Sequence, residues 1–363
     1  MLMTAMLMTA VSVVLPRMAE QNGLTMPQMG VLVSSQFVGY TVSVLAGGIL
    51  SDRYGKIPVL RIAMAGHIVT SILFFYSSGY ALALAACTLS GVFCGVLENN
   101  LTAAVYMDPA RGVRKAAFLQ FMFSAGAAVT PIGVLLCGAA GLSWKAVFPA
   151  MAAAMGVCAA IGATTPRPAA DTGKPFRQIA GEFAQVAKEP VRLAAPAAMF
   201  LYVSAEVGLW GFLPAYVEAR GGDETQSMLC GALLWVCMAA SRLIISKADF
   251  GIRRSLLVSA SLGIVGMILV ITLDGNWVLA AGAFSGFAIG PMYSLIIAWA
   301  TKLASSRSAG NIAFSMSFGT LGPALTGALS GFLGRLAGAG GVLILPIASM
   351  AALIILLSRV KTE

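Results

Sequence analysis

"GGILSDRYGKIPVLR", residues 47–61, sets four charges, Asp52, Arg53, Lys56 and Arg61, within ten positions. The 363-residue chain around it is 59% hydrophobic and only 10% charged. Soluble domains are about half apolar and about a quarter charged. A chain this far from that balance cannot hide its apolar surface from water, so lipid is the solvent its composition calls for. The charged stretch therefore reads as a short turn between two membrane spans.

Working outward from that turn, a helix needs about 20 apolar residues to cross the hydrocarbon core. Breaks at charges, Pro and Gly-rich turns divide the chain into twelve such runs, at 1–17, 27–50, 57–78, 80–107, 115–139, 144–163, 191–217, 226–247, 254–273, 276–301, 309–335 and 339–359. The expected fold is an all-α integral membrane protein of twelve transmembrane helices in two pseudo-symmetric six-helix bundles. Residues 1–163 form the first bundle, 164–190 a polar cytoplasmic linker and 191–363 the second bundle. Within the linker, Phe176, Ile179, Phe183 and Val186 recur at helical spacing. That pattern fits either an amphipathic surface helix or a plain tether.

Lys and Arg set the orientation. With a cytoplasmic N-terminus, 19 of the 23 Lys and Arg residues fall on the inside, leaving only Arg17, Lys145, Arg220 and Arg335 outside. Both termini are then cytoplasmic, in a cell (inner) membrane. The net charge of +9 is explained by this topology and requires no nucleic acid. No cationic leader with a cleavage site opens the chain, so no signal peptide is expected. The six cysteines all lie in apolar runs without metal or disulfide spacing, and they read as small buried hydrophobes. No metal and no cofactor is expected.

The two halves repeat. Leu15-Pro16 followed by Glu20 and Gly23 is matched by Leu213-Pro214 followed by Glu218 and Gly221. "GVFCG" from Gly91 is matched by "GAFSG" from Gly282, and Ser124, Gly126 and Pro131 by Ser317, Gly319 and Pro323. Asp52, Gly55 and Lys56 are matched by Asp249, Gly251 and the Arg253-Arg254 pair. Parallel repeats of six spans are an organisation found in transporters that rock one half against the other. On this alignment the first span is short, roughly 24 Å against a core of roughly 30 Å, and a truncated first helix is expected.

"GILSDRYGK" resembles the signature loop between helices two and three of the major facilitator superfamily, with Gly48, Asp52, Arg53, Gly55 and Lys56 matching position by position. Each residue type has a physical reason. Gly48 permits close helix approach in lipid, and Gly55 permits a tight turn. Asp52 can accept hydrogen bonds at a helix end or pair with a cation, while Arg53 and Lys56 anchor in the headgroups. The resemblance implies that these five residues latch the two halves on the cytoplasmic side; as residues alone, they also fit a turn that only sets topology. Within the family, "LYVSAEVGLWGFLPAY" (201–216), "LEN" (97–99) and "SAGNIAFSMSFGTLGPALTG" (308–327) are similar to the fucose and hexose proton symporter branch or to many bacterial members. The chain departs from that branch where span one carries no carboxylate and where Thr102 replaces an Asn.

Glu98 in span four and Glu206 in span seven are the two carboxylates placed deep in the bilayer. An ionised group there costs at least several kcal/mol unless it is paired or protonated, so both are candidates for proton coupling. The resemblance implies that spans one, four, seven and ten line a central cavity. Around the acids, Asn99, Asn100, Tyr202, Glu206, Trp210 and Tyr293 are the candidate substrate-binding residues. Tyr202, Glu206 and Trp210 share one helix face at i, i+4 and i+8, a stripe suited to a sugar or polyol. Trp210 also fits helix packing, and Asn100 also fits an interhelical hydrogen bond. Arg242, one turn inside the end of span eight, is expected to snorkel, the alternative being that it counters a carboxylate or an anionic substrate in the cavity. Trp299 is expected in an interfacial aromatic belt. His67, in a peripheral span, is a weak candidate for a proton relay.

No Ser–His pair, metal cluster or phosphate loop supports an enzyme. The reading is a monomeric secondary active transporter that moves a small polar solute, a sugar or similar metabolite, by alternating access with protons. The alternative is proton-driven efflux of drugs or amphipathic compounds, for which the 19 Met residues speak.

Overall fold

The structure, a computed structural model, describes residues 1–106, 112–164, 190–245, 251–302 and 308–360. The predicted linker, with its amphipathic stretch from Phe176 to Val186, lies outside the described residues.

The first half comprises α1 (Leu2–Asn22), α2 (Met26–Tyr54), α3 (Lys56–Tyr76), α4 (Tyr80–Tyr106), α5 (Gly112–Ala139) and α6 (Val147–Ala163). The second comprises α7 (Pro190–Ala219), α8 (Glu224–Ile245), α9 (Ile252–Thr272), α10 (Trp277–Ile289), α11 (Met292–Lys302), α12 (Ser308–Ala337) and α13 (Ile344–Arg359). Ten spans among the described residues are long and apolar enough to cross a membrane, and α2 and α12, at 29 and 30 residues, complete the twelve. Among the described residues, thirteen α-helices make twelve spans because the tenth span is broken. Pro291 has no N–H to offer the preceding turn, so α10 ends at Ile289 and α11 starts at Met292.

Local chemistry sets the ends. α1 runs past the predicted boundary at 17 to Asn22, where Gly23 takes up a left-handed conformation (φ 62°) and donates back to the Ala19 carbonyl. At 21 residues it extends about 31 Å, long enough to span the core. Arg17, Glu20 and Gln21 break the apolar run without breaking the helix. Gly55 (φ 86°) turns α2 into α3, and Gly251 (φ 75°) occupies the same place before α9. Backbone in that region excludes most side chains, so the sequence repeat has a conformational counterpart.

Packing repeats as well. In the first half α1 packs on α5, α2 on α4, and α3 on both α4 and α6. In the second, α7 packs on α12, α8 on α10, and α9 on both α10 and α13. Of those ten spans, α7 and α1 are the most enclosed, with 72% and 67% of an apolar 18-residue stretch buried, against 28% for the span that holds α6. Ile62 and Val69 of α3, Val157 and Ile161 of α6, and Val258 and Val265 of α9 point outward, as a lipid-facing shell requires.

The halves meet along α2–α12, α5–α8 and α1–α7. At α2–α12 the backbones nearly touch: a Cβ on Gly30 would lie 2.4 Å from the Gly327 carbonyl oxygen. Ser34 Oγ accepts from the Ala328 N–H at 2.7 Å, and Thr41 Oγ1 donates to the Thr320 carbonyl at 3.0 Å. At the far ends of α1, α7 and α8, Arg17 bridges to Glu218 (3.1 Å) and Glu224 (2.8 Å). Toward the face that carries the chain termini, several of the described hydrogen bonds lie within one half. Ser51 donates to Asn100, Arg61 to the Gly162 and Ala163 carbonyls, and Arg253 to those of Leu357 and Ser358. Among the described residues, a clamp of two ion pairs between the halves thus stands at the face opposite the termini.

Candidate functional site

The α7 stripe of Tyr202, Glu206 and Trp210 turns inward, and all three residues are buried. Glu206 does not stand alone. Arg242 of α8 donates from Nη2 to Glu206 Oε1 at 3.2 Å. The guanidinium side chain is only 9% exposed, so Arg242 points into the bundle and does not snorkel. Two further bonds hold it there: Nε donates to the Gly290 carbonyl at 3.0 Å and Nη1 to Ser124 Oγ at 2.8 Å. Gly290 supplies its carbonyl at the α10–α11 break, and Ser124 comes from α5 in the other half. The Tyr202 hydroxyl lies against Glu206 and Arg242 without closing a hydrogen bond of normal geometry.

Glu98 of α4 faces this cluster from the first half, near enough to both Glu206 and Arg242 to interact through charge. Its immediate neighbour is Tyr40 of α2, whose hydroxyl faces the carboxyl. Tyr293 of α11 approaches Tyr40 from the second half. The two membrane-embedded acids therefore face each other from opposite halves, and Glu206 is the one paired with the guanidinium. Glu98 makes no salt bridge among the described residues.

The remaining candidates separate. Asn100 is 2% exposed, accepts from Ser51 and donates to the Val96 carbonyl at 2.9 Å, so it takes the interhelical role of the two left open. Asn99 donates weakly to the Val44 carbonyl at 3.4 Å, again toward α2. Trp210 stands in an aromatic row that crosses between the halves: Phe37 to Trp210 is 6.2 Å, Trp210 to Trp235 is 5.7 Å and Trp235 to Phe123 is 5.9 Å between ring centres. Trp299 is fully buried, not interfacial, with its indole N–H unpartnered among the described residues; it sits on the inner side of α11 among Ile296, Ile297 and Ala300. His67 is held through Nε2 by the Met3 carbonyl at 3.0 Å, joining α3 to α1, with no acid beside it among the described residues to make a relay.

In the signature turn, Gly55 has the positive φ expected of it. Arg53 lies 5.3 Å from the Tyr54 ring centre, and Lys56 opens α3. The side-chain surroundings of Gly48 and Asp52, and with them the latch itself, lie outside the described residues. Sequence reasoning missed Tyr40, Arg17 and the carbonyl of Gly290. The Gly290-Pro291 pair is the one legible signal, since a helix broken mid-membrane exposes backbone acceptors; in sequence Ser124 reads only as a repeat marker.

Comparison with known proteins agrees with this architecture. Residues 1–310 match the family model described as Major Facilitator Superfamily. The human protein "Voltage-gated purine nucleotide uniporter SLC17A9" is 30% identical over 141 residues, a match spanning 36% of this chain and 31% of that protein. The crystal structure of a single-site variant of the E. coli fucose:proton symporter FucP superimposes with a TM-score of 0.68 over 98% of this chain and 97% of that one, at 17% identity, and so shares the fold. With twelve spans, paired six-helix halves and a family match over most of its length, this chain belongs to the Major Facilitator Superfamily and is a membrane transporter, not an enzyme.

Proposed function

We propose that the protein is a proton-coupled secondary transporter that moves a small polar solute, a sugar or similar metabolite, by alternating access across a cell (inner) membrane. The carrying observation is the buried Glu206–Arg242 pair, bonded across the seam to Ser124 of the other half, with Glu98 on the first-half side within range of its charge. An acid in low dielectric stays ionised only when paired, so Glu98, which lacks a salt bridge among the described residues, takes a proton from whichever side the cleft faces. Glu206 does so when Arg242 leaves it. Solute binds beside them, against Tyr202, Trp210 and Tyr293, with Asn99 at the rim and Asn100 holding α4 to α2.

Closure at one face through Arg17 and the α2–α12 glycines corresponds to a state open toward the termini. The distribution of Lys and Arg supports a cytoplasmic location for that side and for both termini. Gly48, Asp52, Arg53, Gly55 and Lys56 latch it shut in the opposite state. The cleft lies within a single chain, so a monomer suffices. The human protein that matches part of the chain is named a purine nucleotide uniporter, a carrier of a polar metabolite, which supports the solute class.

The test is reconstitution in liposomes with an imposed pH gradient and labelled sugars, amino acids and organic acids. Accumulation by the wild type, lost in Glu98→Gln and Glu206→Gln, supports the reading. Full accumulation by both variants removes the coupling assignment. Energy-dependent extrusion of dyes without uptake replaces the cargo assignment with efflux.

A further inference from the structure

A guanidinium carries five N–H bonds, and Arg242 uses three: on the Gly290 carbonyl, on Ser124 Oγ and on Glu206 Oε1. One N–H on each terminal nitrogen makes no hydrogen bond of normal geometry to a described residue, although the Tyr202 hydroxyl lies against the group. Its bond to Glu206 is single and end-on at 3.2 Å, whereas guanidinium and carboxylate fit best through two parallel bonds. Arg242 is therefore charge-neutralised but under-filled.

The groups facing it are few. α7 offers Glu206 and Tyr202, and α4 offers Glu98 at longer range. Glu98 in turn faces Tyr40 of α2 and the N-terminal amine of the chain, with Tyr293 of α11 near Tyr40, and α5 and α10 contribute only the uncharged Ser124 and Gly290. The groups that face Arg242 itself are thus acidic or neutral.

We propose that Arg242 is the recognition residue for an anionic group on the transported solute, the carboxylate of a small organic acid, and that Glu206 occupies this site when the solute is absent. This inference deepens the transport reading above and rests on it. A buried guanidinium needs a counter-charge, so the site is never empty: Glu206 fills it until a solute carboxylate takes over with two bonds. The displaced Glu206 cannot stay ionised without its partner, and it takes up a proton as the anion binds. Anion and proton affinities are then reciprocally linked. A single guanidinium matches one carboxylate; a phosphate dianion needs a second cation, which the described site does not contain. Ser124 makes the same event visible to the other half, because Arg242 holds it only while the guanidinium keeps its present pose.

The test uses purified full-length protein with benzoate and pyruvate as carboxylate probes, and inorganic phosphate, fucose and choline as comparisons. Binding is followed by calorimetry and by the fluorescence of the tryptophans, two of which (Trp210 and Trp235) lie beside the site. The expected result is carboxylate binding that tightens about tenfold for each unit fall in pH while Glu206 is ionised, with about one proton taken up per anion in weak buffer. In Glu206→Gln the carboxylate binds without that slope and restores the variant's thermal stability. In Arg242→Lys binding weakens, and in Arg242→Gln it disappears.

The inference is overturned if the wild type binds no probe carboxylate from mildly acid to mildly alkaline pH, or if a folded Glu206→Gln protein retains the full slope. Should either variant fail to fold, the wild-type pH slope and proton count decide alone. Transport separates the two levels. Liposomes that accumulate fucose but no carboxylate under a pH gradient retain the transporter reading and reject the anion site; accumulation of neither rejects both.

Discussion

Arg242 of α8 holds Glu206 of α7 at 3.2 Å while the same guanidinium reaches Ser124 in the opposite half at 2.8 Å. One side chain thus joins a buried charge pair to the interface that must slide during transport. Removing one partner of such a pair leaves an uncompensated charge, which typically costs about 3–5 kcal/mol. Glu206→Gln and Arg242→Gln are each expected to lower the thermal unfolding temperature in detergent, and the double variant to recover most of the loss. Strictly additive losses would show that the pair is not coupled.

The clamp on the opposite face is the next expectation. Arg17 of α1 bridges Glu218 of α7 and Glu224 of α8, and Ser227 donates to Glu218 at 2.7 Å. Partly exposed pairs of this kind contribute about 0.2–1 kcal/mol each. Arg17→Gln is expected to shift the resting population several-fold toward the state open at that face, without abolishing solute binding. Distances between spin labels placed across the ends of α1 and α7 would report it as a longer component; an unchanged distribution contradicts the gate.

A steric counterpart concerns α2 and α12. A methyl group at position 30 would meet the Gly327 carbonyl at 2.4 Å, and backbone cannot yield that distance without separating the helices. Gly30→Ala is expected to block closure far more strongly than Arg17→Gln, leaving a folded protein arrested open at that face. Thiol labelling of a cysteine placed at Ser34 should then be fast. Wild-type labelling and wild-type transport in Gly30→Ala would overturn the packing argument.

Much of this architecture is legible along the chain because the bilayer enforces it. Span length, charge asymmetry and the glycines that must take positive φ, Gly55 and Gly251, are all local properties of sequence. Glu98 and Glu206 stand out for the same reason: a carboxylate in hydrocarbon has no routine use. What stays hidden depends on where a side chain turns. An Arg one turn inside a helix end can reach outward or inward at similar sequence cost, and it is Glu206, the Gly290 carbonyl and Ser124, brought by other segments, that make inward the better direction for Arg242. Trp299 is the same case, since an indole near a helix end reads as interfacial until its neighbours are known to cover it. α1 is longer than its apolar run because polar residues in its last turns end that run before they end the helix.

A further expectation follows from Tyr40, whose hydroxyl faces Glu98. Tyr40→Phe removes a donor that favours the ionised carboxyl. The pH dependence of transport is therefore expected to move toward alkaline values, with solute affinity at acid pH little changed. A profile that stays in place while affinity falls would make Tyr40 a solute contact instead.

The central claim is that solute and proton move together through the two buried acids. Its most direct test is to add solute to liposomes that hold a pH-sensitive dye and no imposed gradient. The wild type is expected to acidify the lumen as solute enters, whereas Glu98→Gln and Glu206→Gln equilibrate the solute with reduced or absent acidification. Acidification at the wild-type rate in both variants would contradict the account.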